Sequence, residues 1–384
     1  MPFPLDVPEA VLRRRRSEKW VAYPGDVLPL FVAETDVFHA PAIRERLAAA
    51  VADGDTGYSA DAEHLAAVCA TYYSRFGYEV PADDVVPVND VGVGVREILA
   101  RVLPEGSGVI YTPPVYMPFA PWIKRVGHTP VAVPLLDHDG DDPRLDLEGI
   151  GRALADGARA VLLCHPHNPT GVVHSEAELS AIADLAAQHD AIVVSDEIWA
   201  PLTMPDVEFR SFLAASKTAR EVGLAVSSAS KAFNLAGLKC AFVVSGNPDR
   251  FTGVRRSALS GAVGHLGALA AEAALVDSLD WLEDMRAALA SNVDLLDRLL
   301  AEHLPRARWR RPDATFVAWL DLRGYTGLGD DPAALFLSEG RVALSSGPAF
   351  GAEGRGFARL NFACSEEILT EALTRMGRVA AAHG

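Results

Sequence analysis

Three short apolar runs in this chain each end in a cluster of residues able to do chemistry. ARAVLLC (158–164) runs into His165, Pro166, His167, Asn168, Pro169, Thr170 and Gly171. AIVVS (191–195) runs into Asp196, Glu197, Ile198 and Trp199, and GLAVSS (223–228) runs into Ala229, Ser230 and Lys231, with Lys239 eight residues further on. An amide, a carboxylate and an amine at successive strand ends form a set that can bind a polar ligand and move a proton. Each alone has a bland reading: Asn-Pro-Thr-Gly is a common turn, Asp196 could cap a helix, and Lys231 could be a surface lysine. Three together, in this order, are harder to place as accident, because ligands of open parallel sheets sit beyond the carboxyl ends of the strands.

The elements that must position them are legible. GVIYT (108–112), PVAVPLL (130–136) and CAFVVS (240–245) join the three runs above as Val/Ile/Leu/Ala stretches without polar alternation. Strands covered by helices on both faces look like this. SEAELSAIADLAAQHD (175–190) reads as a helix, with a capping box from Ser175 to Glu178 and an apolar stripe at Leu179, Ile182 and Leu185. Strand, helix and strand in alternation predict a doubly wound, mostly parallel sheet. After about residue 265 the pattern changes. Residues 281–304 repeat apolar positions at Leu282, Met285, Leu289, Val293, Leu296 and Leu300, as a long amphipathic helix does, and TFVAWLDL (315–322), RVALSS (341–346) and ARLNFA (358–363) follow as strands. The expected organisation is a large α/β domain at 45–285 and a smaller α+β domain built from 1–44 and 286–384.

Composition narrows the partners. The 384 residues carry 35 Lys and Arg against 51 Asp and Glu, a formal charge of −16, so no basic excess exists to neutralise nucleic-acid phosphates. The one basic run, Arg13 to Arg16, reads as a solvated helix face. No apolar stretch is long enough to cross a bilayer. The N-terminus places its charge after a short, interrupted apolar piece, unlike a secretory signal. Cys69, Cys164, Cys240 and Cys364 are scattered singly, as in a reduced compartment. A soluble cytoplasmic protein is the expectation. His165 and His167 without a carboxylate or thiolate at ligand spacing do not make a metal site.

The motifs PHNPTG (166–171), VVSDEI (193–198), SASKAFNLAGLKCAF (228–242), TPPVYMPF (112–119) and RLNFA (359–363), with LPLFVAETDV (28–37) and TGYS (56–59), cover nearly the whole chain. Through them the sequence resembles the fold-type I, pyridoxal-phosphate (PLP)-dependent enzymes of the class I/II aminotransferase group. Within that group it is most similar to the cystathionine β-lyase (C–S lyase) branch of the MalY/PatB type. The resemblance implies a seven-stranded sheet and a homodimer with shared active sites. It makes Lys231 the catalytic amine that joins the cofactor aldehyde, a task suited to lysine because its pKa falls readily on burial. It makes Asp196 the partner of the pyridine nitrogen, keeping the ring an electron sink. Asn168 would bond the phenolic oxygen and Tyr116 would lie against the ring. Ser228, Ser230, Lys239 and the helix start at Asp90, Val91 and Gly92 would hold the phosphate, joined by Tyr58 from the partner subunit. Arg359 would clamp the substrate carboxylate, with Glu34 and Asn168 nearby.

Four positions depart from the family pattern. Trp199 stands where tyrosine or histidine is usual against the cofactor's phenolic oxygen. Asp90 stands where glycine or serine is common; a carboxylate would repel the phosphate, so it is expected to turn away or cap the helix. His165 replaces an asparagine, and AETD (33–36) alters a wall motif in a way that predicts changed specificity at Glu34. The reaction expected is α,β-elimination of a cysteine S-conjugate to thiol, pyruvate and ammonia. Transamination uses the same residues, and a silent PLP-binding regulator is a third reading.

Overall fold

The computed structural model describes residues 4–255 and 262–383. Twelve strands lie along the described chain: β1 (Leu28–Pro29), β2 (Val85–Val88), β3 (Gly108–Tyr111), β4 (Thr129–Ala132), β5 (Ala158–Cys164), β6 (Ile192–Asp196), β7 (Gly223–Ser227), β8 (Ala241–Ser245), β9 (Val317–Asp321), β10 (Val342–Ala343), β11 (Ser345–Ser346) and β12 (Phe357–Asn361). Seven of them form one sheet in the order β2-β8-β7-β6-β5-β3-β4, parallel except that β8 runs antiparallel to both neighbours. This is the mostly parallel, doubly wound sheet of fold type I.

Alternation along β5 and β6 shows why the sheet is covered twice. Val161, Leu163 and Val193 pack into one apolar cluster with Ile182, Ala183 and Ala186 of the helix Glu176–Gln188. Leu162 and Val194 point the other way, into a second cluster with Val95, Ile98 and Leu99 of the helix Val91–Val102. All of these side chains are buried, so neither face of the central strands meets water. The register pairs Cys164 with Asp196 and Asp196 with Val226, which brings the three carboxyl ends to one level.

A second, antiparallel sheet has the order β11-β12-β9, and β1 pairs in parallel with β10 through Leu28↔Val342 and Pro29↔Ala343. The N-terminal segment thus returns to the C-terminal part of the chain, where the 25-residue helix Leu279–His303 and the helix Glu366–His383 pack together.

Three details differ from the sequence reading. RVALSS is not one strand: Val342–Ala343 pairs with β1 and Ser345–Ser346 with β12. β2 escapes the pattern because Pro87 interrupts it; proline is tolerated there because β2 is an edge strand. The basic run is not a helix face. It follows a four-residue helix, Glu9–Leu12, and Arg15 is drawn inward, donating to the carbonyls of Thr35 and Val37 and lying 4.0 Å from Asp36. No described helix is long and apolar enough to cross a membrane.

The capping box of helix Glu176–Gln188 forms as expected, and Glu178 also accepts from the Leu145 N–H at 3.1 Å. Ser175→Ala is expected to cost about 1 kcal/mol. Urea unfolding should show a lower midpoint with an unchanged slope.

Candidate active site

The carboxyl ends of β5, β6 and β7 open into a cavity of about 450 Å³, whose lining includes Asp90, Val91, Gly92, Tyr116, Asn168, Asp196, Trp199, Ser228, Ser230, Lys231, Lys239 and Arg359. Residues as far apart in sequence as Asp90 and Arg359 therefore share one wall. Tyr58 is not among the lining residues; it is fully exposed on a loop of its own protomer. Glu34 does not line the cavity either, although Phe31, Val32 and Ala33 beside it do.

Lys231 sits just past β7 and donates from Nζ to the Ala33 carbonyl at 2.9 Å. Its Nζ also lies 5.7 Å from the centre of the Trp199 ring. Burial, reinforced by the positive charge of Arg359, brings its pKa down to about 8 against the pull of Glu34 and Asp196. At neutral pH a useful share of this amine is therefore uncharged. Asp196 ends β6 with its carboxylate buried and one hydrogen bond, from the Ile198 N–H at 3.2 Å. Burial raises its pKa to about 7. A carboxylate so poorly satisfied at the bottom of a cavity calls for a cationic donor.

Arg359, on β12, is buried and tied on two sides. It donates to Asn168 Oδ1 at 3.0 Å, to Ser345 Oγ at 3.0 Å and to the Phe31 carbonyl at 2.8 Å, while Nε has no partner. Burial lowers its pKa to about 10, which leaves it charged at neutral pH. The guanidinium meets no carboxylate in these bonds, so an anion entering the cavity would find an unneutralised cation.

At the opposite end, Asp90 caps the helix Val91–Val102, its Oδ1 accepting from the Val93 N–H at 2.8 Å. Its other oxygen lies 3.3 Å from Lys239 Nζ. The cap accounts for aspartate at this position, and the lysine offsets its charge. A side chain at Gly92 would place its Cβ 2.5 Å from the Trp122 ring, so glycine is required there. The Ser228 hydroxyl donates to the Cys240 carbonyl at 2.6 Å and accepts from the Ser230 N–H at 3.0 Å, which shapes the loop that presents Lys231. Tyr116 stands edge-on to Trp122 with ring centres 5.7 Å apart, and Trp199 packs edge-on against Phe316 at 4.8 Å.

Sequence reasoning missed several wall residues. Glu18, Phe31, Met117, Trp122, Cys240 and Ser345 also line the cavity. Trp122 could have been sought from Gly92, which demands a large close neighbour; the others lie in short segments without periodicity. His165 and His167 turn out to be structural. His165 Nε2 bonds the Arg210 carbonyl at 2.9 Å, His167 bonds Thr170 Oγ1 at 3.0 Å, and both pack against buried His174. Among the described residues no group of three or more His, Cys, Asp or Glu is placed to hold a metal.

These features fit pyridoxal phosphate: an amine and an acid that shares its cavity, a cation for a carboxylate, and a helix start with hydroxyls and a lysine for a phosphate. The chain belongs to the class I and II aminotransferase family, whose model matches residues 26–376. It is a pyridoxal-phosphate-dependent enzyme, a carbon–sulfur lyase or an aminotransferase. It is 40% identical to a Mycobacterium leprae protein provisionally named cystathionine beta-lyase, over 96% of this chain and 95% of that one. It is 35% identical to the cystathionine beta-lyase of Corynebacterium glutamicum, over 96% and 98%. A crystal structure from Corynebacterium diphtheriae, provisionally described as a PLP-dependent beta-cystathionase, superposes with a TM-score of 0.93 at 34% identity, covering 98% of this chain and 99% of that one.

Two measurements follow from the burial of these groups. In the apo protein, reductive methylation of Lys231 followed by mass spectrometry should rise through about pH 8, while exposed lysines react only at higher pH. His165, His167 and His174 are held neutral by burial, at about 3, 4 and 3. Below the unfolded value near 6.5 the unfolded chain binds protons that the folded one refuses, so these groups cost stability as pH falls. Asp196 and Glu197, raised to about 7 by burial, act in the opposite sense. Replacing one histidine isolates its share. His174→Leu should make the change of unfolding free energy with pH shallower by about 1.4 kcal/mol per pH unit between pH 4.5 and 6.

Proposed function

We propose that the enzyme catalyses α,β-elimination of a cysteine-type S-conjugated amino acid, releasing a thiol, pyruvate and ammonia. The observation that carries this reading is the convergence of Lys231, Asp196 and Arg359 on one cavity, in a chain whose relatives are named as cystathionine β-lyases. Arg359 binds the substrate α-carboxylate through its guanidinium, and Asn168 fixes the angle of that clamp through its 3.0 Å bond. Lys231, near its own pKa, takes the proton from Cα; such proton transfer typically contributes about 10²- to 10⁴-fold. Asp196 would keep a proton on the pyridine nitrogen of bound PLP, which would supply the electron sink that makes the Cα proton acidic.

The Cβ–S bond then breaks with its electron pair going to sulfur, which leaves as the thiol after taking up a proton. The remaining three-carbon enamine takes up water to give pyruvate and ammonia. Val91, Gly92, Ser228, Ser230 and Lys239 would hold the phosphate in this reading, and Tyr116 would lie against the ring. Exposed Tyr58 reaches the partner's site in a homodimer.

Purified holoenzyme given cystathionine or S-methyl-L-cysteine, with no 2-oxo acid present, is expected to release pyruvate and a thiol, and Lys231→Ala should reduce the rate at least 10³-fold. Product formation only after 2-oxoglutarate is added would show an aminotransferase instead.

A further inference from the structure

We propose that Glu18 sets the charge preference of the substrate's distal end, favouring cysteine conjugates whose departing thiol carries a cation over those that carry a carboxylate. The inference rests on the lyase reading for its substrates.

The charged residues that line the cavity are Glu18, Asp90, Asp196, Lys231, Lys239 and Arg359. Five have partners or tasks inside the site. Asp90 and Lys239 face each other at 3.3 Å, Asp196 and Lys231 flank the reacting centre, and Arg359 is held on Asn168, Ser345 and the Phe31 carbonyl. Glu18 alone has neither an ion pair nor a side-chain hydrogen bond among the described residues. It is exposed, so its carboxylate meets water.

Its place is nonetheless fixed. Glu18 begins the short helix Glu18–Val21, and the next two residues are bolted to one buried carboxylate. Lys19 Nζ meets Asp36 Oδ2 at 2.8 Å and Trp20 Nε1 donates to Asp36 Oδ1 at 3.0 Å. Asp36 belongs to the same segment, 31–36, that supplies Phe31, Val32 and Ala33 to the wall. Glu18 is therefore carried on the structure that walls the cavity, not on a loose tail.

With Arg359 committed to the α-carboxylate, Lys231 to the reacting centre and Lys239 to Asp90 and the phosphate end, no lining cation remains for a second carboxylate. Glu34 adds negative charge close enough to act on both Lys231 and Arg15. A distal ammonium thus finds an unpaired anion, and a distal carboxylate finds only repulsion. Cystathionine, with both charges on its far end, gains little either way. Because Glu18 is exposed and screened, the preference should be moderate, about three- to tenfold, and sensitive to salt.

The test uses the holoenzyme and three thioethers of matched reach: S-(2-aminoethyl)-, S-(2-hydroxyethyl)- and S-(2-carboxyethyl)-L-cysteine. For each, the half-saturating concentration is read from the change in cofactor absorbance on binding, and kcat/KM from pyruvate release. Native enzyme should favour the ammonium over the carboxylate, with the hydroxyl between them. Glu18→Gln should lower that ratio about three- to tenfold, and Glu18→Lys should reverse it; differences among the leaving thiols cancel when ratios are compared between variants. In the native enzyme alone, raising salt from 20 to 500 mM should shrink the preference. An ammonium-to-carboxylate ratio equal in native enzyme and Glu18→Gln, a native preference for the carboxylate, or no saturable binding of any of the three would overturn the proposal. If half-saturation follows the expected order while none yields pyruvate, the charge preference stands and the lyase reading fails.

Discussion

A carboxylate at the end of a buried strand holds this site together. The Asp196 carboxylate is buried with one hydrogen bond, and burial raises its pKa to about 7 in spite of that bond and the Lys231 charge. That state is costly unless something cationic meets it. The sheet creates the condition: β6 is central, both of its faces are sealed by helices, and its register places Asp196 level with Cys164 of β5. The same desolvation brings the Lys231 amine down to about 8, so it gives up its proton more readily than an exposed lysine. One physical circumstance, a polar strand end in an apolar sheet, thus prepares an acid and a base together.

The neighbouring residue shows how the strand end is fixed. Glu197 points into the opposite layer and accepts from Tyr73 Oη at 2.8 Å, from Ser211 Oγ at 3.1 Å and from the Phe212 N–H at 2.9 Å. Its own N–H donates to the Val226 carbonyl. These bonds join the strand to two helical segments, so Asp196 cannot turn without breaking them. Such fully satisfied buried networks are rigid.

Much of this was legible in the sequence, for identifiable reasons. The runs that become β5, β6, β7 and β8 are continuous in Val, Ile, Leu and Ala because those strands are buried on both faces, whereas β4 carries the same pattern as a partly exposed edge strand; Ser175 with Glu178 marks a helix start. Asn168, Asp196 and Lys231 follow such runs directly, so finding the strands finds the residues. What stayed hidden has physical causes too. β2 holds a proline, β10 and β11 have two residues each, and the helix carrying Glu18 has four, all too short or interrupted for periodicity to register. The basic run Arg13 to Arg16 misled because charge usually signals solvent, whereas Arg15 is recruited by carbonyls far away in sequence.

The wall segment 31–36 is gripped almost wholly through its main chain. Arg359 takes the carbonyl of Phe31, Asn361 those of Val32 and Glu34, Lys231 that of Ala33, and Asn234 both the N–H and the carbonyl of Thr35. Amides are common to every residue type. The fastening is therefore indifferent to which side chains the stretch displays, Asp36 excepted. Exchange of the groups at 31 to 34 can remodel what the enzyme admits while the mooring stays intact, so the fold provides a panel on which selectivity can drift at small cost to stability.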